Sequence, residues 1–419
     1  MRWNLTATEM RSAVHQSRNW RPASRLFYAL SVMALLLAPA LRAQVTGGKK
    51  PELPPPFASK SVNNAAEEAK PPKGFLPNVP QGFKINVFAA DFKGPRWMAL
   101  APNDDVFLAD TAAGKIVVLR DPQQTGSAQQ NEVFVSGLNE PYGILFHDEY
   151  VYVGDTDALL RFKYDSKTSK RLGEAEHLMD LPTGGHSTRS VALAPDGKHL
   201  LVGVGSESNI SIEADPRRAA ITICDLDGKN AHQYATGLRN PTGLTQEPST
   251  KIVWASVNER DGLGNDLPPD YLTSVKDGGF YGWPYSYIGN NVDPRVKPQK
   301  PDLTATAIIP DVLLGAHRAP LQFAFYTGKQ FPERYSGGVF VAEHGSWNRA
   351  PRAGYQVVFV PFKDGKPVGD PEPFLTGLVP NPNKSEVYGR PVGIAVTTDG
   401  SLLVSDDVAG SVYRISAAK

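Results

Sequence analysis

The sequence has a single cysteine, Cys224, in 419 residues. No intramolecular disulfide can form, so a protein exported to an oxidising compartment would draw its stability from core packing or bound ligands. Cys224 sits in the apolar run AAITICDL and reads as a small core side chain rather than a reactive thiol. Charge of one sign is missing as well. Lys+Arg number 44 and Asp+Glu 43, a formal net charge of +1, which excludes a nucleic-acid binder that works through bulk positive charge. With 41% hydrophobic residues and no succession of apolar runs near the ~20 residues of a membrane span, a polytopic membrane protein is excluded too. Helical periodicity over more than two turns is scarce after Ala43.

Turn residues, by contrast, are abundant: 38 Gly and 36 Pro. This is more than an average globular chain carries and less than wholesale disorder requires.

The N-terminal 25 residues hold five Arg and one acidic residue, and the 15-residue apolar stretch Leu26 to Ala40 follows before Leu41-Arg42-Ala43. That order predicts a secretory signal peptide over 1–43 and a periplasmic or secreted protein, an uncleaved membrane anchor being the rival reading. Residues 44–75 belong to a Pro-rich stretch too poor in apolar residues for a core, which predicts a disordered tether.

From Gly94 onward one unit recurs six times: a small residue or Pro, an inward-facing strand, a turn often of Pro-Asp-Gly type, and a strand ending in Asp or Glu. GPRWMALAPNDDVFLADT and RPVGIAVTTDGSLLVSDD are the first and last copies. Taking Pro95, Pro141, Arg189, Pro241, Pro320 and Pro391 as equivalent, the spacings are 46, 48, 52, 79 and 71 residues. A four-stranded propeller blade takes about 40 to 50 residues. The pattern therefore predicts an all-β, six-bladed β-propeller over 76–419, with inserted loops in the two long repeats. Gly82 to Ala90 has no partner in the first unit and is expected to close the ring by pairing with the last blade.

In a propeller the residues just before each inner strand surround one mouth of the central channel. Here they are Arg96, Asn139/Glu140, His186, Arg239/Asn240, His317/Arg318 and Gly389/Arg390. Cations and imidazoles converging on one mouth suit an anionic or polyoxygenated ligand.

Four stretches carry a more specific signal: TGGHSTRSVALAPDGK, GLRNPTG, VNERDGLGNDLPPDYLTSVKDGGFYGWPYSY and VAEHGSWNR. With them the chain, from about Leu76 to Ser416, resembles the glucose/sorbosone dehydrogenase family, soluble six-bladed propellers that use pyrroloquinoline quinone and calcium. NERDGLG and EHGSWNR look more like its sorbosone branch. The resemblance implies oxidation of an aldose or a sugar-derived aldehyde by hydride transfer to the quinone, with electrons passed to an external acceptor such as a cytochrome or a quinone. It places His186 as general base, Arg239, Asn240 and Arg390 on the cofactor, Asn139 and Arg349 as further cofactor contacts, and Ca²⁺ on main-chain carbonyls at Glu259 and Arg260.

The chain departs from the glucose enzymes at four of these points. Gly185 stands where they have an acidic partner of the base, Glu259-Arg260 replaces a Gly-Pro, His344 or Arg349 substitutes for a lysine, and Asn139, to within one residue, is the nearest amide where they use a glutamine. Two other classes fit a propeller with such a mouth: a calcium-dependent lactonase, and a non-catalytic propeller that binds sugar or protein.

Overall fold

The structure, a computed structural model, describes residues 43–418. The expected export segment therefore lies, except for Ala43, outside the described residues.

Each of the six repeats forms an antiparallel sheet of four main strands. Their first strands are Pro95–Leu100, Ile144–His147, Arg189–Leu193, Pro241–Gln246, Pro320–Phe325 and Pro391–Val396, and each touches the first strand of the next blade until the sixth meets the first. The expected six-bladed propeller is the fold observed. Alternation along each strand explains how neighbouring blades adhere. In Val106–Asp110, Phe107 and Ala109 pack with Phe134 of their own blade and with Tyr142 and Val153 of the next. Val106 and Leu108 pack with Ala395, Leu403 and Val412 of the blade before. Both faces of a blade are core, so the strands read as nearly continuous apolar runs.

The ring closes as expected: Phe83–Ala89 pairs antiparallel with Ser411–Ala417, Ile85 lying opposite Ile415. The first and last parts of the domain thus share one sheet, which removes an open edge.

The acidic residue ending the second strand of several repeats has a structural use. Asp110 accepts hydrogen bonds from the Lys93 and Gly94 amides, Asp155 from the Asn139 amide, and Asp406 from the Arg390 amide. Each carboxylate ties the mouth loop ahead of the first strand to the end of the second, so the mouth is fixed by its own repeat.

The longest repeat inserts 275–311 before its fourth strand Val312–Ala316. Phe280, Tyr281, Trp283, Tyr285 and Tyr287 of this insertion are all buried, so the aromatic run is packing.

The expectation of a disordered tether for 44–75 does not hold. Gln44–Val45 pairs with Val312 and Leu313, and Glu67–Glu68 runs parallel to Glu386–Val387. Between them the Phe57 amide donates to the Leu263 carbonyl and the Asn64 amide to the Trp347 carbonyl. Too apolar-poor to build a core, the segment still supplies Val45, Leu53 and Ala66 to pack against the propeller, and its extended backbone finds partners on loops and strand edges. It is a strap rather than a tether.

Candidate active site

His186 stands on the loop leading into the third blade's first strand. Buried Arg189 clamps that loop from beneath, donating through Nη1 to the His186 and Thr188 carbonyls (2.6 and 2.9 Å) and through Nη2 to Pro182 (2.6 Å). Arg218 holds the Thr183 and Gly184 carbonyls. The imidazole Nδ1 lies 2.7 Å from the main-chain oxygen of Ser206. A carbonyl only accepts, so Nδ1 carries the proton and Nε2 is left as the basic nitrogen. Burial, helped by the Arg239 charge, pushes the ring down to about 4, so it is neutral at working pH. Gly185 explains the missing acidic partner. Its φ is +63°, and a Cβ there would run into the Glu207 and Ser206 backbone, so no carboxylate can occupy the position.

Arg239 reaches the mouth from the adjacent blade. Its Nη1 donates to the Glu259 carbonyl (2.8 Å), its Nε approaches the Asn209 carbonyl (3.3 Å), and its Nη2 lies 3.6 Å from the Asp261 carboxylate. Asn240 packs directly behind the base: Thr188 Oγ1 donates to its Oδ1 (3.3 Å), and a Cβ at Gly205 would strike both Asn240 and His186. Burial opposes the ionisation of Asp261. Its hydrogen bond with His317 and the Arg239 charge nevertheless hold its carboxyl below the usual range.

A cavity of about 370 Å³ opens at this mouth. Ser187 and Thr188, the two residues after the base, form one wall, and Arg96, His344, Arg390 and Asp407 form the other; His186, Arg239 and Asn240 lie next to this cavity and are not part of its lining. Asp407 accepts from His344 Nε2 (2.9 Å) and from Arg96 Nη1 (2.7 Å). Arg390 donates through Nε and Nη2 to the His344 and Gly345 carbonyls (3.0 and 2.8 Å), bonds that leave Nη1 uncommitted. Burial and the Arg390 charge hold His344 down to about 4.

The structure thus brings His186, Arg239 and Asn240 together at one side of the mouth and puts Arg390 across it. Three expectations change. Arg349 is a loop brace, its Nη1 paired with Asp266 at 2.6 Å, and does not line the cavity. At the second blade Glu140, at φ +52°, lines the cavity and Asn139 stands one position from it, as His186 stands one position from Ser187. The Glu259 side chain, buried at 3% exposure, is paired with Arg260 Nε at 3.0 Å, so it points neither to solvent nor to the mouth. Arg260 in turn donates to the Pro284 and Ser286 carbonyls of the aromatic insertion. Only the main chain of Glu259 faces Arg239.

Position before a first strand does not point to Ser206, Asp261 or Asp407. They lie in loops that follow second strands, which return to the same end of the propeller. Each lies within four residues after the second strand of its repeat, and that position is legible in the sequence.

Fold and site together define a six-bladed propeller whose mouth sets a neutral imidazole beside fixed guanidinium groups. The chain belongs to the TrAA12-like family, whose profile matches residues 77–271 and 293–418. It is 29% identical over 377 residues to an uncharacterized protein of Borreliella burgdorferi, covering 86% of this chain and 94% of that protein. It is 24% identical over 401 residues to the pyrroloquinoline quinone-dependent pyranose dehydrogenase of Coprinopsis cinerea. That match covers 81% of this chain and 54% of the fungal enzyme, so the chain spans about half of that relative's length. Among solved structures it is similar to the holo form of the pyranose dehydrogenase PQQ domain from Coprinopsis cinerea, with TM-score 0.70 and 22% identity over 84% of this chain and 99% of that one. The calcium structure of the Trichoderma reesei carbohydrate-active enzyme of family AA12 gives 0.70 and 20%, over 82% and 97%. At these identities the structural likeness shows the fold.

Proposed function

We propose that the protein is a pyrroloquinoline quinone-dependent dehydrogenase acting on an aldose or a sugar-derived aldehyde of the sorbosone kind. The observation that carries it is the neutral His186 imidazole, tautomer set by Ser206, at a mouth with Arg239 on one side and Arg96 and Arg390 on the other.

The residues fit a tricarboxylic quinone. Arg96, Arg390 and Lys93 set positive charge on the cavity wall among the carboxylates of Glu68, Glu140 and Asp407, the last paired with Arg96, and Arg390 keeps one nitrogen free of internal bonds. When bound, the quinone supplies a two-electron acceptor for hydride. His186 Nε2 takes the substrate hydroxyl proton while Nδ1–H stays on the Ser206 carbonyl, which keeps the ring plane and the tautomer fixed. Arg239 and Asn240 hold polar donors beside the base, and the Arg239 guanidinium is placed to balance negative charge that grows on oxygen.

Calcium belongs to the same reading. The carbonyls of Asn209, Asn258 and Glu259 and the Asp261 carboxylate are engaged by the Arg239 guanidinium, so this oxygen set already holds a cation, and calcium enters the proposal from the resemblance, which expects the ion on main-chain oxygens at Glu259 and Arg260. Export through residues 1–43 and an external electron acceptor complete the proposal.

The test is dye reduction by the purified protein with quinone, Ca²⁺ and a panel of aldoses. Chelation should abolish it and re-addition restore it. Ring-opening of a lactone without quinone would instead establish the lactonase, and binding of quinone with no oxidation of any sugar or aldehyde would overturn the reading.

A further inference from the structure

Asp261 stands where two blades meet, in the loop after the fourth blade's second strand, Val253–Val257. Its Oδ2 faces Arg239 Nη2 across 3.6 Å, too far for a hydrogen bond, so the ion pair between them is left open. Its Oδ1 accepts a hydrogen bond of 2.5 Å from Asn348 Nδ2, which comes from the fifth blade, 87 residues further on. The same amide nitrogen lies 3.1 Å from His317 Nδ1, and His317 Nε2 is 3.0 Å from the Gly264 carbonyl. A carbonyl only accepts, so Nε2 carries the ring proton and Nδ1 is free to accept. Both amide hydrogens of Asn348 are therefore spent inside the protein, one on a carboxylate and one on an imidazole, and a turned amide would set its oxygen against the carboxylate. The Asp261 main chain is fixed as well. Its amide donates to Asn209 Oδ1 at 2.8 Å, and its carbonyl accepts from Asn209 Nδ2 at 3.0 Å and from Arg295 Nη1 at 2.8 Å. What is left to turn is the carboxylate, and Asn348, itself buried, holds it.

We propose that Asn348 is a positioning residue for Arg239: by holding Asp261 Oδ1 it keeps the carboxylate from closing onto the guanidinium, and the Arg239 charge stays available to the quinone. The inference rests on the dehydrogenase reading above and goes beyond it in naming what sets the strength of the Arg239 contact. The atom at stake is Arg239 Nη2. Nε and Nη1 are given to the Asn209, Asn258 and Glu259 carbonyls, whereas Nη2 has no hydrogen bond among the described residues. Closure of the Asp261 pair would add a charge-assisted hydrogen bond, about twice as strong as a neutral one, and would take the donor that Arg239 keeps for a ligand. Asn348 gives both of its donors to the protein, so it acts through Asp261 and not by touching the quinone.

Two measurements test this without turnover: quinone titration in the presence of Ca²⁺, followed by tryptophan fluorescence, and crystal structures of the cofactor-free variants. In Asn348→Ala the separation of Arg239 and Asp261 should close from 3.6 Å to hydrogen-bond distance, and the quinone Kd should rise roughly three- to tenfold. Adding Asp261→Asn removes the competing charge and should bring the Kd back to within about twofold of the parent. In an Arg239→Ala background Asn348→Ala should change the Kd by less than about twofold, because the group it acts through is gone. A merely structural role predicts the same loss in both backgrounds and no recovery with Asp261→Asn. Melting temperatures report folding, and Asn348→Ser, which keeps a polar group too short to reach Asp261, carries the comparison if the alanine variant folds poorly. An unchanged separation, an unchanged affinity or an equal loss in both backgrounds would overturn the positioning role and leave a parent that binds quinone. A parent that binds no quinone would overturn the dehydrogenase reading instead, and the separation in Asn348→Ala then decides the positioning role by itself.

Discussion

The imidazole Nδ1 of His186 is bonded to the main-chain oxygen of Ser206 at 2.7 Å, across two loops of one blade. A carbonyl fixes the ring as firmly as a carboxylate does but carries no charge to raise its basicity. With burial and Arg239 acting in the same direction, the ring stays neutral well into the acid range. Orientation and basicity are set by different groups here, and each can be tested alone.

The pH profile follows from this. His186 sits at about 4, so the base is available above that value and is lost as pH falls through it. The logarithm of kcat/KM should stay level from neutral to about pH 5 and turn down near pH 4. An acid limb near 6.5 in the steady-state profile would show that burial does not hold the ring neutral. The same depression makes stability rise with pH between about 4 and 6.5, because the unfolded chain binds a proton there that the native ring does not. In His186→Gln, denaturation midpoints across that window should rise less steeply.

His186→Gln and Arg239→Ala should separate chemistry from binding. The first removes proton abstraction while keeping size and some hydrogen bonding, so turnover should fall by roughly 10²–10⁴ with quinone affinity little changed. The second removes a charge from the mouth and frees the Glu259 and Asn258 carbonyls, so quinone affinity and turnover should drop together. Quinone titration and single-turnover reduction measure both. Near-normal turnover in His186→Gln would remove it as the base.

Gly185→Asp restores the acidic residue found in the glucose enzymes and should nonetheless harm this one. At φ +63° with the Glu207 backbone against its Cβ, the substitution displaces the loop that carries the base. A loss of about 1–3 kcal/mol in stability is expected from such a position, with a large fall in turnover. Chemical denaturation and assay of the variant give both numbers. An active, fully stable Gly185→Asp protein would mean the loop has room the structure does not show.

Arg352→Ala should release the strap without unfolding the propeller. Arg352 holds Asn64 and Ala65 through three bonds, whereas the blades do not depend on it for strand pairing. Limited proteolysis should then cleave within 52–70 much faster than in the parent and leave a stable fragment. Equal cleavage rates would show that strand pairing alone secures the strap.

Much of the fold was legible in the sequence because it repeats. Six copies of one pattern, each with a Pro or Arg at the same point and most with an acidic residue at or just after the end of the second strand, can be recognised without knowing any contact. The closing strand was legible for a related reason: Gly82 to Ala90 was a strand without a partner at one end of a ring that needed one. The strap was not. Its composition says correctly that it cannot form a core, but composition does not report whether a neighbour offers a surface, and here Arg352 and the edge at Glu386–Val387 do.

The site divides along the same line. Residue types and repeat position, together with the resemblance they carry, were enough to single out His186, Arg239, Asn240 and Arg390, since every mouth loop precedes a first strand. Which of those side chains face the mouth was decided by tertiary structure. Glu259 and Arg260 turn their side chains into a buried ion pair, and Arg349 braces a neighbouring loop. Ser206 comes into the site from a loop 20 residues on in the same blade, and Asp407 meets Arg96 from 311 residues away. The physical reason is that a charged group buried beside another settles where its hydrogen bonds are satisfied. For Asp407 and Arg96 that meeting depends on the closure of the ring, and for Ser206 and His186 on the folding of one blade, neither of which a local run of residues encodes.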